Sequence, residues 1–350
     1  MKSSGPMSDV VISCRVRLAR NLAGRPFVSK LGPEQAQALC EEVQEAISGL
    51  QLGNGCHWAS MSEASPVLRL LLWERHLISR DLAPIEGRGE KPPGRAVAFD
   101  HSESVSMMVN EEDHLRIQSM SAGFDFAGAW ERARDIDQAL EGNLNFAVSE
   151  TLGYLTGCPT NVGTGMRASV MLHLPALGMV RKELEKVFTA AQRTGLAVRG
   201  MHGEGSRAGG DYYQISNQIT LGSSEEQLID DLCSLVPVIV DFERRLRDAL
   251  MEGRGAALKD RICRSLGTLR AARAMPTEDA YTHLSNIRLG VNVGILPETS
   301  LAALTELAVH VQRGHVQVLS NKDGGEDSLI EVSERDRLRA ALLRKRLASS

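Results

Sequence analysis

The sequence predicts an α+β region followed by an all-α module. Two observations carry that prediction. Over the first two-thirds of the chain, short stretches of apolar–polar alternation such as VISCRVRL and MRASVMLHL are interleaved with stretches of helical period. Beyond Ser223 the pattern is helical almost to the end, broken near Gly253 to Gly255. The expected domains are therefore residues 8–252 and 256–350.

The elements follow in order. VVISCRVRLARN alternates as a strand. GPEQAQALCEEVQEAI reads as an amphipathic helix, with Pro33 at its first position and Ala36, Leu39, Cys40, Val43 and Ile47 at helical spacing. SEASPVLRLLLWERHLIS reads as a second helix capped by Ser65, with His76 late in it. EGRGEKPPGR is a loop by composition, and AVAF, SVSMMV and HLRIQSM are strand-like. A helical pattern runs from about Trp130 to Tyr154. The strand-like RASVMLHL, a helix around Lys182 to Gln192, the strand LAVRG, a glycine-rich loop GEGSRAGG and the alternating YYQISNQI complete the α+β region.

Composition narrows the function. Across 350 residues the formal net charge is −4, which excludes a general nucleic-acid binder or a polybasic membrane anchor. Six cysteines are scattered without a Cys-x-x-Cys pair, so neither a zinc site nor a disulfide framework is expected. MKSSGPMSD lacks the apolar core of a signal peptide, and LCSLVPVIV is too short for a membrane span and contains Pro237. The expectation is a cytoplasmic protein.

Alternation then places the arginines. Ser13, Arg15 and Arg17 share one strand face, opposite Ile12, Cys14, Val16 and Leu18. Glu112, His114 and Arg116 share a face opposite Leu115 and Ile117, Arg167 and Ser169 oppose Ala168, Val170 and Leu172, and Arg199 ends a fourth strand. For any one strand an ordinary solvated face is the simpler account. Four strands carrying arginine and never lysine favour planar, bidentate recognition of phosphate oxygens, and hence a polyphosphate ligand. No Walker A sequence and no His-Arg-Asp or Asp-Phe-Gly signature is present, so the phosphates must be held by side chains. Glu112 and Glu204, each beside an arginine, are candidates to clamp a cationic acceptor and take a proton from it.

VISCRVRLARN, NEEDHLRIQSM, CPTNVGTGMRASVMLHLP and RGMHGEGSRAGGDYYQISNQ resemble, in order, the successive signatures of the phosphagen (guanidino) kinase family over roughly residues 8–250. The resemblance runs to its bacterial protein arginine kinases. It implies a phosphagen-kinase-like catalytic domain, an antiparallel sheet flanked by helices with the active site on the open face. It further implies ATP and Mg2+, the metal held mainly by the nucleotide. The ATP-binding set would be Ser13, Cys14, Arg15, Val16, Arg17, His76, Arg116, Arg167, Ala168, Ser169, Val170, Met171, Arg199, Gly200, Met201, His202, Gly203 and Glu204. Glu112 and Glu204 match the acceptor-binding carboxylates, with Glu112 as base, and Cys158 matches the reactive cysteine beside the guanidinium. Cys14 stands where Ser or Thr is usual, and His202 where small-molecule arginine kinases have arginine.

Members that act on small molecules carry a helical domain ahead of the first motif, whereas only a short tail precedes Val11 here. The expected acceptor is therefore an arginine in a protein. In the C-terminal module RDRLRA resembles a phosphoarginine-binding motif, with Arg335, Asp336, Arg339 and Ala340 as its allosteric site. The same resemblance implies a homodimer, substrates of the heat-shock repressor class, an activating adaptor protein and a Clp protease. Two rival readings are a kinase of free arginine or a related guanidino compound, and a non-catalytic phosphoarginine-binding adaptor.

Overall fold

The computed structural model describes residues 5–50, 55–83, 93–200, 209–320 and 329–348. Strand β1 (Val11–Arg20) forms as its alternation requires, with Cys14, Val16 and Leu18 fully buried and Ser13, Arg15 and Arg17 partly exposed. Further strands are β2 (Cys56–Ser60), β3 (Ala96–Asp100), β4 (Val105–Val109) and β5 (Leu115–Ala122). A short hairpin of β6 (Val148–Ser149) and β7 (Gly153–Tyr154) stands apart. With β8 (Met166–His173), β9 (Leu196–Gly200) and β10 (Tyr212–Asn217), the large sheet has the order β2-β3-β4-β5-β1-β8-β10-β9.

The register decides which side chains meet. β1 and β5 pair antiparallel with Arg15 opposite Met120, Arg17 opposite Gln118 and Ala19 opposite Arg116. Directly opposed residues share a face, so Arg116 lies on the same side as Arg15 and Arg17. β5 pairs in turn with β4, which pairs with β3, and β3 with β2, each antiparallel.

Ten helices are described. In α1 (Pro33–Ser48) Pro33 occupies the first turn, and in α2 (Pro66–Glu74) the Ser65 hydroxyl accepts from Leu68 N at 3.1 Å. Asp125 caps α3 (Phe126–Glu141), and α4 (Pro175–Met179) and α5 (Arg181–Arg193) follow. α6 (Glu225–Ala271) breaks at Arg254, where φ is −141° and ψ 25°, close to the break that the glycines predict. α7 (Thr277–Asn292), α8 (Leu301–His310), α9 (Arg313–Ser320) and α10 (Val332–Leu347) end the chain.

Three local expectations are corrected. The helix expected from Trp130 to Tyr154 stops at Glu141, because Gly142 and Asn143 turn the chain back on the last carbonyls before the β6–β7 hairpin. The helix expected to reach Ser79 stops at Glu74; Leu77 N bonds Leu72 O, and His76 takes the left-handed conformation at φ 61°. β5 begins at Leu115, so alternation does not extend to Glu112 and His114. Residues 110–114 form the β4–β5 turn, and His114 is buried, accepting from Leu22 N and donating to Pro26 O. Strand β2 has no strong alternation of its own, so the sequence does not announce it.

Packing divides the chain into two compact units. One comprises Ser13–Ser169 and Ser216–Cys233, the other Lys2–Ile12, Val170–Ile215 and Ser234–Ser350. The first contains a core of Met61, Leu72, Leu77, Leu82, Val97 and Met108. There Arg20 is a structural residue, 1% exposed, gripping Asp137 of α3 through two bonds of 2.9 and 2.7 Å and stacking on Tyr154 at 3.5 Å. The second unit joins α6, α7, α8 and α10 through Leu269, Leu284, Ile287, Leu304 and Leu343.

Within that second unit His173 is fully buried, its Nε2 2.8 Å from Ser285 Oγ. Burial, then the Arg288 and Arg247 charges, hold its pKa well below the usual histidine value. The unfolded chain gains a proton there below about pH 6.5 while the fold does not, so stability falls as pH drops through that value. The loss approaches about 1.4 kcal/mol per pH unit for this residue. Urea unfolding at pH 7.5 and 5.5 is expected to show a smaller pH penalty for His173→Gln than for the wild type.

Candidate active site

Four guanidinium groups gather on the open face of the first unit. Arg15 and Arg17 come from β1, Arg116 from β5 and Arg167 from β8. Burial, then the Arg116 charge, lowers the Arg15 pKa to about 10. Arg17 is lowered well below the normal arginine value by burial, then by Arg15, Arg116 and Arg167, with only Glu111 opposing. Arginine does not give up its proton under ordinary conditions, so the shifts express an unmet demand for negative charge. The buried Nε of Arg17 finds no hydrogen-bond acceptor among the described residues. An orphaned guanidinium nitrogen amid like charges fits a phosphate oxygen.

The neighbouring groups set the shape of this cluster. Arg15 Nε reaches Ser169 Oγ at 3.4 Å. Gln118, opposite Arg17, donates to His76 O at 2.6 Å and so draws the His76 turn onto the same face. Although His76 is exposed at the surface, crowding by surrounding protein and then the Arg15 charge lower its pKa to about 4. A neutral ring beside a phosphate-binding cluster suits a sugar or base contact better than a charge contact.

The β4–β5 turn supplies carboxylates. Arg116 forks between Glu111 at 2.7 Å and Glu112 at 3.0 Å. Glu111 has a side chain with 0% exposure and also accepts from Ser79 Oγ at 2.5 Å, whereas Glu112 is 43% exposed. Nothing in the sequence pattern distinguishes Glu111 from its neighbour Glu112. The doublet Glu111–Glu112 was visible there, but strand alternation could not say which one faces inward from a turn. Asp113, buried behind them, accepts from Asn21 Nδ2 at 2.6 Å and Gly157 N at 2.5 Å. A Cβ on Gly157 would sit 2.9 Å from Glu112 O, so this glycine allows the Cys158 loop to lie against the Glu112 turn. From there Cys158 Sγ contacts Thr160 Oγ1 at 3.1 Å, and Arg167 Nη2 donates to the same hydroxyl at 3.3 Å.

Other sequence-predicted residues are placed differently. Cys14, Val16, Ala168 and Val170 point into the packed face and are 0% exposed, and burial pushes the Cys14 thiol up to about 12. Any contribution of these four to a ligand on the open face would come from their backbone. Arg199 and Gly200 end β9 in the second unit, which also contains Met171. Met201, His202, Gly203 and Glu204 lie outside the described residues. In the second unit Arg335 and Asp336 lie near the start of α10, with Arg335 buried and Arg339 1% exposed. Arg339 donates to Val311 O at 2.6 Å, Met275 O at 2.7 Å and Asp336 Oδ1 at 2.6 Å, with Ala340 packed beside it in the core.

Residues 38–246 match the ATP:guanido phosphotransferase C-terminal catalytic domain, and residues 255–350 match the protein-arginine kinase McsB C-terminal domain. The chain belongs to the ATP:guanido phosphotransferase family. Within the family it is 42% identical to the protein-arginine kinase of Bacillus pumilus, over 99% of this chain and 92% of that protein. It is 43% identical to the protein-arginine kinase of Brevibacillus brevis, over 99% of this chain and 94% of that one. Among solved structures, the duplicated taurocyamine kinase of Schistosoma mansoni with bound transition-state analog components superimposes with a TM-score of 0.62 at 29% identity. That match covers 69% of this chain and 34% of the duplicated one. Lombricine kinase gives a TM-score of 0.60 at 25% identity, covering 71% and 70% of the two chains. The phosphagen-kinase fold expected from the sequence is thus present, and the phosphotransferase family makes ATP the phosphoryl donor. Among the described residues no helix is long and apolar enough to cross a membrane.

If the arginine face binds the phosphates of ATP, Arg17→Ala removes one charge-assisted contact worth about 1.5–3 kcal/mol, or about ten- to hundredfold in ATP affinity. Because the substitution also relieves like-charge repulsion, thermal stability without nucleotide is expected to hold or rise. Calorimetric titration with ATP and a melting curve measure both.

Proposed function

We propose that the protein transfers the γ-phosphoryl group of MgATP to a guanidinium nitrogen of arginine in protein substrates. The observation that supports this most is the juxtaposition of two chemistries in one unit. A cluster of four arginines with an orphaned nitrogen stands beside a turn carrying a half-exposed carboxylate and a loop carrying a cysteine. The protein-arginine kinases that it resembles along nearly their whole length give the acceptor.

In this reading Arg15, Arg17, Arg116 and Arg167 neutralise the phosphates and hold the transferring group in line, with Arg199 as a further contact. Mg2+ would ride on the nucleotide's own oxygens. Glu112 keeps one carboxylate oxygen on Arg116, which leaves Oε1 for the incoming guanidinium. As the nitrogen attacks phosphorus, Glu112 takes its proton, the N–P bond forms, the bond from phosphorus to the β–γ bridging oxygen breaks, and ADP leaves. Glu204 would orient the guanidinium and Cys158 would supply a third polar contact. Glu111, buried and fixed by Ser79, keeps Arg116 aimed at the phosphates.

Glu112→Gln is expected to lower kcat by several orders of magnitude with little change in ATP affinity. The assay incubates enzyme and MgATP with either free arginine or an unstructured arginine-rich protein. Products are read by phosphorus NMR and mass spectrometry under non-acidic conditions. Phosphoarginine only in the free amino acid would overturn the protein-acceptor reading, and near-normal turnover of the variant would overturn the assignment of the base.

The C-terminal module is proposed to bind phosphoarginine and to dimerise. On family resemblance the contact is proposed at Arg335, Asp336, Arg339 and Ala340; Arg335 is itself buried, and Arg339 already donates to Val311 O, Met275 O and Asp336 Oδ1. Arg335→Ala is expected to abolish calorimetric binding of free phosphoarginine while the variant stays folded; unaltered binding would remove this site. The cytoplasmic setting, a stress-response role, an activating adaptor, substrates of the heat-shock repressor class and a Clp protease that reads the mark are proposed on family resemblance alone.

A further inference from the structure

Beside the Cys158 loop the first unit carries a groove of about 410 Å³ that the phosphoryl-transfer reading leaves unused. Its walls include Leu152, Tyr154, Thr164 and Leu221, and its rim carries Glu141 and Glu225. We propose that this groove seats the stretch of a protein substrate that flanks the target arginine, and that it selects basic residues with apolar neighbours. The inference rests on the reading that the acceptor arginine belongs to a polypeptide.

The surface mixes polar groups with exposed apolar side chains. Val148 is 55% exposed, Leu152 44%, Ile219 66% and Leu221 49%, and all four come from the two segments that border the groove. Val148, Leu152 and Leu221 line the groove itself, so an occupant would cover apolar side chains that water otherwise wets. The groove is also built rigidly. Tyr154 lies over the Arg20 guanidinium at 3.5 Å, and Arg20 is locked by Asp137 and by Thr164 O. Gly163, at φ 111°, packs so closely that a Cβ there would stand 2.5 Å from Thr220 O. A preformed surface loses little freedom when a chain docks on it.

Charge identifies the occupant. Neither Glu141 nor Glu225 is paired with a cation among the described residues. Glu225 opens α6, where a carboxylate complements the helix dipole and has a structural use. Glu141 has no such use: it ends α3, where a negative charge opposes the dipole, and no basic residue stands in that last turn. Two carboxylates around an apolar floor complement a lysine or arginine whose aliphatic stem lies on Tyr154 and Leu152.

Position ties the groove to the chemistry. Thr220 Oγ1 donates to Val162 O at 2.6 Å and to Thr160 O at 3.1 Å. Thr160 in turn contacts both Cys158 and Arg167. The groove wall and the acceptor cysteine are therefore two hydrogen bonds apart, within reach of an extended chain rising about 3.3 Å per residue. Free arginine has no flanking chain to place there.

The test uses two peptides, each with one arginine, flanked either by leucine and lysine or by serine and glutamate. Initial rates are measured for the wild-type chain and for the double charge reversal Glu141→Lys/Glu225→Lys, with Leu152→Ser as an independent variant. Melting curves check that both variants fold. The reversal is expected to raise KM for the basic peptide at least tenfold and to lower it for the acidic peptide. Leu152→Ser is expected to raise KM for the leucine–lysine peptide, while kcat and the KM for MgATP stay the same throughout. Unchanged KM values for both peptides would overturn the groove alone. If the wild type phosphorylates the unstructured arginine-rich protein but neither peptide, this inference falls and the protein-acceptor reading stands; if it phosphorylates only free arginine, both fall.

Discussion

The antiparallel register of β1 against β5 is the constraint on which the rest depends. It sets Arg17 opposite Gln118 and Ala19 opposite Arg116, so that three arginines and the residue that draws in His76 share one face. The opposite face of the same strands carries Cys14, Val16, Leu18, Leu115 and Ile117, all buried. A slip by one residue would send guanidiniums into the core and expose the apolar set, so hydrophobic burial itself enforces the position of the charges. The interaction that folds the sheet is also the one that assembles its polar face.

Assembling that face is costly. Two guanidiniums at i and i+2 on a strand, about 7 Å apart, repel by on the order of 2 kcal/mol at an effective dielectric near 20. Glu111 offsets part of this through its contact with Arg116, and a nucleotide would offset the remainder. Arg20 shows how differently the same residue type behaves when its partner is internal. It sits three residues beyond Arg17, yet its bidentate bond to Asp137 leaves no charge to offer a ligand. Distinguishing a structural arginine from a phosphate-binding one requires knowing whether a carboxylate waits on another element.

The acidic turn follows similar logic. Asp113 is bound by Asn21 and the Gly157 amide, so one buried carboxylate joins the start of β5, the end of β1 and the cysteine loop. Burial raises its pKa while those hydrogen bonds oppose the rise. Glu112 is thereby presented from a braced turn, and Cys158 is carried on a loop that can approach only because residue 157 has no side chain.

Alternation and helical period by themselves determined much of this protein. The buried and polar faces of β1 and β8, the caps at Ser65 and Pro33, the break near residue 254 and the shared arginine face were all legible, because each depends on neighbours two to four positions apart. Tertiary structure alone decided what depends on distant partners. It ended α2 before His76, made a turn of residues 110–114 and chose Glu111 to anchor Arg116. It also committed Arg20 and Arg339 to internal acceptors, and brought residues 148–154 beside 219–223 to form a groove. The physical reason is the same in each case. A local pattern specifies which side of an element a residue occupies, whereas a side chain's role depends on charges and carbonyls that the chain brings near only when it has folded.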